Sequence, residues 1–466
     1  MNFIQRTIQN IVTYAFPAPK DFYEEVYENR RAGLDKLLEY YNGAQRKPLR
    51  LTSRGVDYNI ITNHTRTIVD RSVSMLMGNG VTFDLPGEGE TPQDELLTRV
   101  WDANKQGILL HDLAQFGSVY GTMALKIIPD GVMGIDGVVT YRLVALNPYN
   151  LSVINAPDDM SHIVTYIYRW NAGDTAWREV TAEQENGTWL VTVQKADKST
   201  HNRWENQSEV AWPYSFAPIA HGKNLPSAGS VYGYSDIEGI IDLQDKYNES
   251  QSNINKILSL QAASQKYLIG AQLPKEKDDK GGSYINGEPG SVWQIANENA
   301  KIGILAPVGD MASSVNFVNS LRRDMYDIAA TVDSESMTDK VGALTNFGLH
   351  VLFKNELAKN ATKQLLYGDL LCQVNNRLLQ LAGYSGAEAD PGVVIWSDGL
   401  PENDTEEVQT LQAEIAMGIR SKEGAASARG IDWESEQERL LKEKQAAGNV
   451  GANMIRDFLA GRNNGS

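Results

Sequence analysis

Tyr232-Gly233-Tyr234-Ser235-Asp236-Ile237-Glu238 opens the stretch that decides the fold, and this stretch runs on to Leu381. Over Ser235–Ala263 the residues Ile237, Ile240, Ile241, Tyr247, Ile254, Ile257 and Leu258 recur mostly at threes, fours and sevens, the stripe of a helix with one buried face. Ser235 and Asp236 offer N-cap chemistry. A helix of this length spans roughly 40 Å at 1.5 Å per residue, more than one small core can cover, so a partner surface is implied. Lys266–Gly270, Ser291–Ile295 and Lys301–Val308 read as short strands around a Gly-, Lys-, Asp- and Pro-rich Gln272–Gly290, which makes a small β-insert at a helix tip. Met311–Val332 is helical again through Val318, Leu321, Met325, Ile328 and Val332 and can return antiparallel beside the first helix. Ser334–Asn346 has no apolar period and reads as a loop. A third helix, Phe347–Leu381, follows the leucines from Leu352 to Leu381 and stops at Gly383.

Working outward, Asp21–Tyr41 is an amphipathic helix that ends near Gly43, and Met1–Ala15 is a weaker helical pattern set apart by Pro17 and Pro19. Asn59–Met77 reads as a helix closed by Gly78, and Gly78-Asn79-Gly80 turns the chain into a strand over Val81–Leu85. Thr91-Pro92-Gln93-Asp94 caps a short helix carrying Leu97, Val100 and Trp101. From Val119 to Gln194 six strands alternate with turn signals, giving an antiparallel sheet, and Ala196–Leu225 reads as an irregular connector. Beyond the third helix come a strand at Val393–Trp396, an acid-rich helical stretch over Leu400–Lys444 and a Gly- and Asn-rich tail.

The chain has 466 residues, 43 basic and 59 acidic, a net charge of −16 that speaks against general affinity for nucleic acid or for an anionic membrane. The single cysteine, Cys372, rules out an internal disulfide and suits a reducing compartment. No run approaches 18 apolar residues, so no membrane span is expected. The histidines His64, His111, His162, His201, His221 and His350 are scattered without zinc spacing, there is no nucleophile elbow, and Gly78-Asn79-Gly80 lacks the rest of a phosphate loop. Neither a catalytic residue, a metal site nor a cofactor site is expected.

The order of helix, β-insert, helix, loop and long helix resembles the portal proteins of tailed bacteriophages, the siphophage-type family in particular. Tyr232–Glu238 followed by Ile241-Asp242-Leu243-Gln244-Asp245 and Asn248 is similar to the family's approach to its first stem helix. So is Ile68-Val69-Asp70 with Met75-Leu76-Met77-Gly78 and Val81, and the likeness covers about residues 20 to 445.

The resemblance implies an α+β ring subunit. Residues 1–231 would form the N-terminal part of a wing, 232–265 the first stem helix, 266–308 a clip and 309–332 the second stem helix. Residues 333–346 would be a tunnel loop, 347–399 the long helix with a returning strand, and 400–466 a helical crown and tail. It also implies a homododecamer at one capsid vertex of the virion, assembled in the host cytoplasm, that passes double-stranded DNA. The implied partners are the terminase large subunit, a head-tail adaptor, the major capsid protein and scaffold, with no membrane. In the tunnel loop Lys340 with Ser336, Thr338 and Asn346 would meet DNA, and Arg322 and Arg323 are channel-lining candidates on the stem. Lys275, Lys277, Asp279, Lys280 and Tyr284 would dock partners at the clip. The rival readings are another ring of the phage tail or baseplate, and a nucleic-acid enzyme with dispersed carboxylates such as Asp70 or Asp242.

Overall fold

The computed structural model describes residues 22–51, 55–78, 80–86, 91–134, 139–197, 203–262, 265–270, 299–305, 311–333, 346–396 and 411–428. It also describes residue 137 and short pieces at 276–277, 283–284 and within 433–442. Two compact units emerge, residues 1–339 with 352–399, and residues 340–351 with 400–466.

The first unit begins with α1 (Phe22–Tyr41) and α2 (His64–Met77). α2 starts later than the Asn59 expected, because Asn63 caps it by accepting the Arg66 amide at 3.2 Å. β1 (Val81–Asp84) pairs antiparallel with the strand Val393–Trp396 far along the chain. α3 (Pro92–Ala103) carries the expected capping box, Thr91 accepting the Asp94 amide while Asp94 accepts that of Thr91. α4 (Gln106–Tyr120) has no counterpart in the sequence reading. Its buried residues share one face, but exposed Ile108 and buried Ser118 blur the contrast between its two sides. Leu110, Leu113, Ala114, Ser118 and Val119 are all buried.

β2 (Thr122–Met133), β3 (Val139–Ala145), β4 (Leu151–Asn155), β5 (Ile163–Ala172), β6 (Thr175–Glu183), β7 (Trp189–Ala196), β8 (Glu205–Trp212) and β9 (Ile219–Lys223) follow. They form two sheets in place of the one expected, of strand order β3-β2-β9 and β4-β5-β6-β7-β8, with every pairing antiparallel. Ala196–Leu225 is therefore not an irregular connector, since it supplies β8 and β9. β8 escapes the period-two signal because it is an edge strand whose residues from Glu205 to Ala211 are all exposed. β9 is short and shows only Ile219 and Ala220 as buried apolar residues.

A 3-10 turn at Glu238–Ile240 leads into α5 (Ile241–Ala262). Then come β10 (Gln265–Ile269), the two-residue strands β11 (Glu276–Lys277) and β12 (Ser283–Tyr284), β13 (Lys301–Leu305), α6 (Met311–Ile328), α7 (Asn346–Leu381) and β14 (Val393–Trp396). β10 pairs with β13 and β11 with β12, both antiparallel, so the β-insert is present, although the strand expected at Ser291–Ile295 lies outside the described residues. β10 and β13 join one pair of ends of α5 and α6, and at the other Ile328 packs on Gly239, so the two helices run antiparallel. In the second unit residues 411–416 and Lys422–Ala428 are helical. The pattern expected for Met1–Ala15 lies outside the described residues, and no described helix is long and apolar enough to cross a membrane.

One large core gathers α1 to α4, the start of α5, the end of α6 and α7, and a smaller one lies between the two larger sheets. Trp101, only 1% exposed, stacks on Phe83 and donates from Nε1 to Asn375 Oδ1 at 2.9 Å, which fastens α3 to α7. Two glycines set how closely the backbones approach. Gly117 lets Tyr367 of α7 reach α4, where a Cβ would stand 2.0 Å from the hydroxyl. Gly121 ends α4 at a φ of +75°, and a Cβ there would lie 2.3 Å from the Gly233 carbonyl oxygen. Gly121→Ala combines a left-handed alanine with a clash between backbones, and it is expected to cost about 2–4 kcal/mol. Urea unfolding of the purified variant measures that loss, and a midpoint equal to the parent's would show that the crossing is not tight.

Candidate functional site

The segment Tyr232–Glu238 crosses α4 at the Gly121–Gly233 contact, and that crossing carries Ser235 and Asp236 inward. The Asp236 amide donates to the Ser118 carbonyl at 2.9 Å, and Ser235 Oγ donates to the same oxygen at 3.0 Å. Ser235 does act locally, accepting the Ile237 amide at 3.2 Å. Asp236, expected as a cap, is instead a fully buried carboxylate. Lys363 of α7 reaches it at 2.6 Å and Lys359 at 3.2 Å, and Asn224 donates to it at 3.2 Å. Lys363 Nζ also donates to Ser72 Oγ of α2 at 2.8 Å and to Ser118 Oγ of α4 at 3.0 Å, so all three of its protons are used. Tyr367 donates to Asn224 at 2.9 Å and closes the network.

Burial alone would raise the Asp236 carboxyl, but Lys363 and Lys359, with hydrogen bonds from Lys363 and Ser72, outweigh it and hold the group well below the usual carboxylate range. Burial pulls the Lys363 ammonium down to about 8 against the attraction of Asp236. The carboxylate is thus the member whose charge the site protects, and it has two cations to draw on.

α6, the turn that follows it and α7 shape a cleft of about 530 Å³. Arg322 and Arg323 both line it, together with Tyr326, Asp333, Asn355 and Glu356. Arg322 is not a free channel charge, since its guanidinium pairs with Asp333 at 2.7 Å. Arg323 is exposed. α6 stops four residues before the expected Val332. Ala330 turns to a φ of +48°, its amide donating to the Asp327 carbonyl at 3.1 Å and that of Thr331 to Tyr326 at 3.0 Å, an αL helix stop built on alanine where glycine is usual. Past this turn the Val332 amide donates to Glu356 at 2.9 Å, Arg71 donates to the Val332 carbonyl, and Lys359 donates to the Ala329 carbonyl at 2.8 Å. Burial raises the Glu356 carboxyl, partly offset by the Val332 amide, Lys359 and Arg71.

Of the other expected residues, Asn346 is the first residue of α7, one position before the start expected at Phe347. Lys277 lies in β11 and Tyr284 in β12, in the register Glu276 opposite Tyr284 and Lys277 opposite Ser283. Ser336, Thr338, Lys340, Lys275, Asp279 and Lys280 lie outside the described residues. Asp70 is half exposed beside Arg66 at 3.5 Å, and Asp242 is exposed with Lys36 at 3.7 Å, so the two carboxylates serve separate surface pairs. Among the described residues no group of three or more His, Cys, Asp or Glu side chains is placed to hold a metal. The sequence reading missed Arg71, Asp236, Glu356, Lys359 and Lys363. One signal for Lys363 was present, because it sits on the α7 face continued by Tyr367, Leu370, Val374 and Leu378, where a solvated lysine does not belong.

Removing one member of a dry ion pair strands the other. Asp236→Asn and Lys363→Met are each expected to cost about 3–5 kcal/mol, while Asp236→Leu with Lys363→Met loses much less than the sum. Because the native carboxyl is lowered, its contribution is complete above the unfolded-chain value of about 4 and is lost as pH falls below it. Chemical denaturation from pH 7 to 3 should show a steeper loss in the parent than in the double variant, and parallel curves would contradict the assignment.

The sequence matches the family described as "Phage portal protein, SPP1 Gp6-like" over residues 20–449. Comparison with curated proteins returns no match. Among solved structures, a chain of the neck of an empty GTA particle computed with C6 symmetry aligns at 16% identity and a TM-score of 0.45, covering 79% of this chain and 89% of that one. A chain of the neck of a native GTA particle computed with C12 symmetry aligns at 15% identity and 0.42, covering 79% and 88%. The family match takes in all but the two ends of the chain, so this protein belongs to the SPP1 Gp6-like phage portal proteins and is a structural component of a phage particle, not an enzyme.

Proposed function

We propose that this chain forms the ring, of twelve copies, through which double-stranded DNA enters and leaves a phage head. The match to the portal family over residues 20–449 is the observation that carries this reading. The helix pair supports it: Leu258 of α5 and Val315 and Phe317 of α6 are 45–49% exposed, and Leu365 of α7 is 76% exposed. Large side chains left in water on long helices gain from a neighbouring copy.

In this reading residues 1–231 belong to the wing, 232–265 and 309–332 are the stem, 266–308 the clip, 347–399 the long helix and its return, and 400–466 the crown and tail. The clip, where β10–β13 and β11–β12 present strand edges, docks the terminase large subunit during loading and a head-tail adaptor afterwards. Its Lys275, Lys277, Asp279, Lys280 and Tyr284 are the contact candidates. Capsid protein and scaffold surround the ring as it assembles in the host cytoplasm. Segment 333–346 faces the DNA, with Lys340, Ser336, Thr338 and Asn346 as contacts, and Arg323 stands nearer to solvent on the stem than Arg322 does. One lysine per copy offers phosphates many equivalent weak contacts around a ring, which centres DNA without gripping it.

The purified chain should form closed rings in negative stain, with a light-scattering mass near twelve copies. A single-chain mass across the micromolar range would overturn the reading. Lys340→Glu should leave rings intact while DNA retained per particle falls by a factor of two or more. Retention equal to the parent's would remove Lys340 from the DNA path, and failure to form rings would make the segment an assembly element.

A further inference from the structure

The described chain around Val332 is held in an unusual way. Ala329 to Asp333 leave α6 through an alanine at positive φ, and backbone and side-chain groups beyond that turn are taken up by charged side chains from three helices. Arg71 of α2 donates to the Val332 carbonyl, Glu356 of α7 accepts the Val332 amide at 2.9 Å, and Arg322 of α6 pairs with Asp333 at 2.7 Å. The rings and guanidiniums are layered as well, with Arg71 and Arg322 each within 6 Å of the Tyr326 ring centre. Thr331 and Glu356 are more than nine-tenths buried, and both partners of the Arg322–Asp333 pair are 20% exposed or less. A loop whose only task is to connect two helices is ordinarily hydrated and held by its own turn hydrogen bonds. Here both the amide and the carbonyl of one residue are gripped by ionised groups, and such bonds are shorter and stronger than neutral ones.

We propose that Arg71, Arg322 and Glu356 are positioning residues that clamp Val332 and Asp333 and so fix the point and direction from which the following segment departs. The clamp's consequence for DNA rests on the function proposed above. Arg71 and Glu356 come from α2 and α7, which the Asp236–Lys363 network ties together, so the clamp refers Val332 to the main core and not to α6 alone. The two peptide groups that flank Val332 are both held, one through its amide and the other through its carbonyl, which leaves the residue little freedom, whereas a single hydrogen bond would act as a hinge.

Amide hydrogen exchange of the full chain, read on peptides covering 329–333 and separately on 321–325, tests the clamp. Glu356→Ala should speed exchange at Val332 by about 10-fold or more, Glu356→Gln should stay near the parent because its amide oxygen still accepts, and Leu321–Met325 should not change in either. Arg71→Ala should loosen the same peptide from the carbonyl side. Unchanged exchange in Glu356→Ala, equal acceleration in 321–325, or a Gln variant as fast as Ala would each overturn the proposal.

The second readout is DNA retained by particles built from Glu356→Ala, compared with the Lys340→Glu test. If exchange rises and retention falls, the positioning role stands. If exchange rises and Lys340→Glu lowers retention but Glu356→Ala does not, the clamp positions nothing that matters and the proposal fails. If Lys340→Glu also leaves retention unchanged, the DNA reading of the segment is what has failed, and exchange alone decides the clamp.

Discussion

The fold depends on one buried carboxylate. Asp236 carries a charge where no water reaches it, and an isolated charge in that position costs several kcal/mol even after the protein relaxes. Its counter-ions come from α7, the hydroxyls that complete the coordination of Lys363 come from α2 and α4, and Asp236 itself sits at the approach to α5. No one of these elements can shift by an ångström without stranding a donor or an acceptor. The apolar contacts around them favour burial without favouring one arrangement, since dispersion and hydrophobic burial are not directional. The ion pair supplies the direction, and Gly121 and Gly233 allow the backbone close enough for it to form.

A second polar seam extends the same logic along α5. Gln244, Asn248 and Ser252 follow one another at four-residue spacing and are buried to within 1%, with Asn255 one turn further on. They bond the irregular chain ahead of α2 and the helix's first residue: Gln244 with Thr62 and His64, Asn248 with Thr62 and Gln45, Ser252 with Ile60, and Asn255 with the Tyr58 carbonyl. Among the described residues that stretch has no strand partner, and these side chains take up amides and carbonyls that no sheet satisfies. The seam also explains why α2 begins at His64 and not at Asn59. Residues 59 to 62 are held outside the helix by these bonds to α5.

What could be read from the sequence, and what could not, follows from these two features. Helices with an apolar period, such as α7, and turns with explicit chemistry, such as the Thr91 capping box, announce themselves, because local pattern and tertiary role agree. α4 did not, because Ile108 is apolar on its exposed side and Ser118 polar on its buried side, which blurs the period. β8 did not, because an edge strand with both faces in water has no alternation. The buried face of α5 is part apolar and part Gln, Asn and Ser, and a reading that equates polar with solvated assigns half of that face to the wrong side. Lys363 and Asp236 are 127 residues apart, and no local signal joins them. In the candidate site the stem arginines were identified by type, but the engagement of Arg322 with Asp333 is a matter of three-dimensional register. Glu356 and Arg71 meet Val332 only because α2 and α7 pack side by side.

The ion pair lies at one end of the α5–α6 pair and the polar seam runs along α5 from it, while the physical consequence falls at the other end. Near Asp236 and Gly239 both helices are rooted in a core, with Ile240, Ile241, Met325 and Tyr326 all buried. Farther out toward β10 and β13, Leu258, Val315 and Phe317 stand half in water. Covering a side chain of this kind is worth about 1.5–3 kcal/mol when complete, so the outer part of the pair holds a reserve of association energy that the chain alone does not use. A reserve on a flexible arm would favour contacts in any geometry. On an arm whose base is fixed by a dry ion pair and a polar seam, the exposed side chains present themselves at one angle, and a copy that covers them must arrive at that angle too. Repetition of one angle from copy to copy is what turns an apolar patch into a closed assembly and not an aggregate.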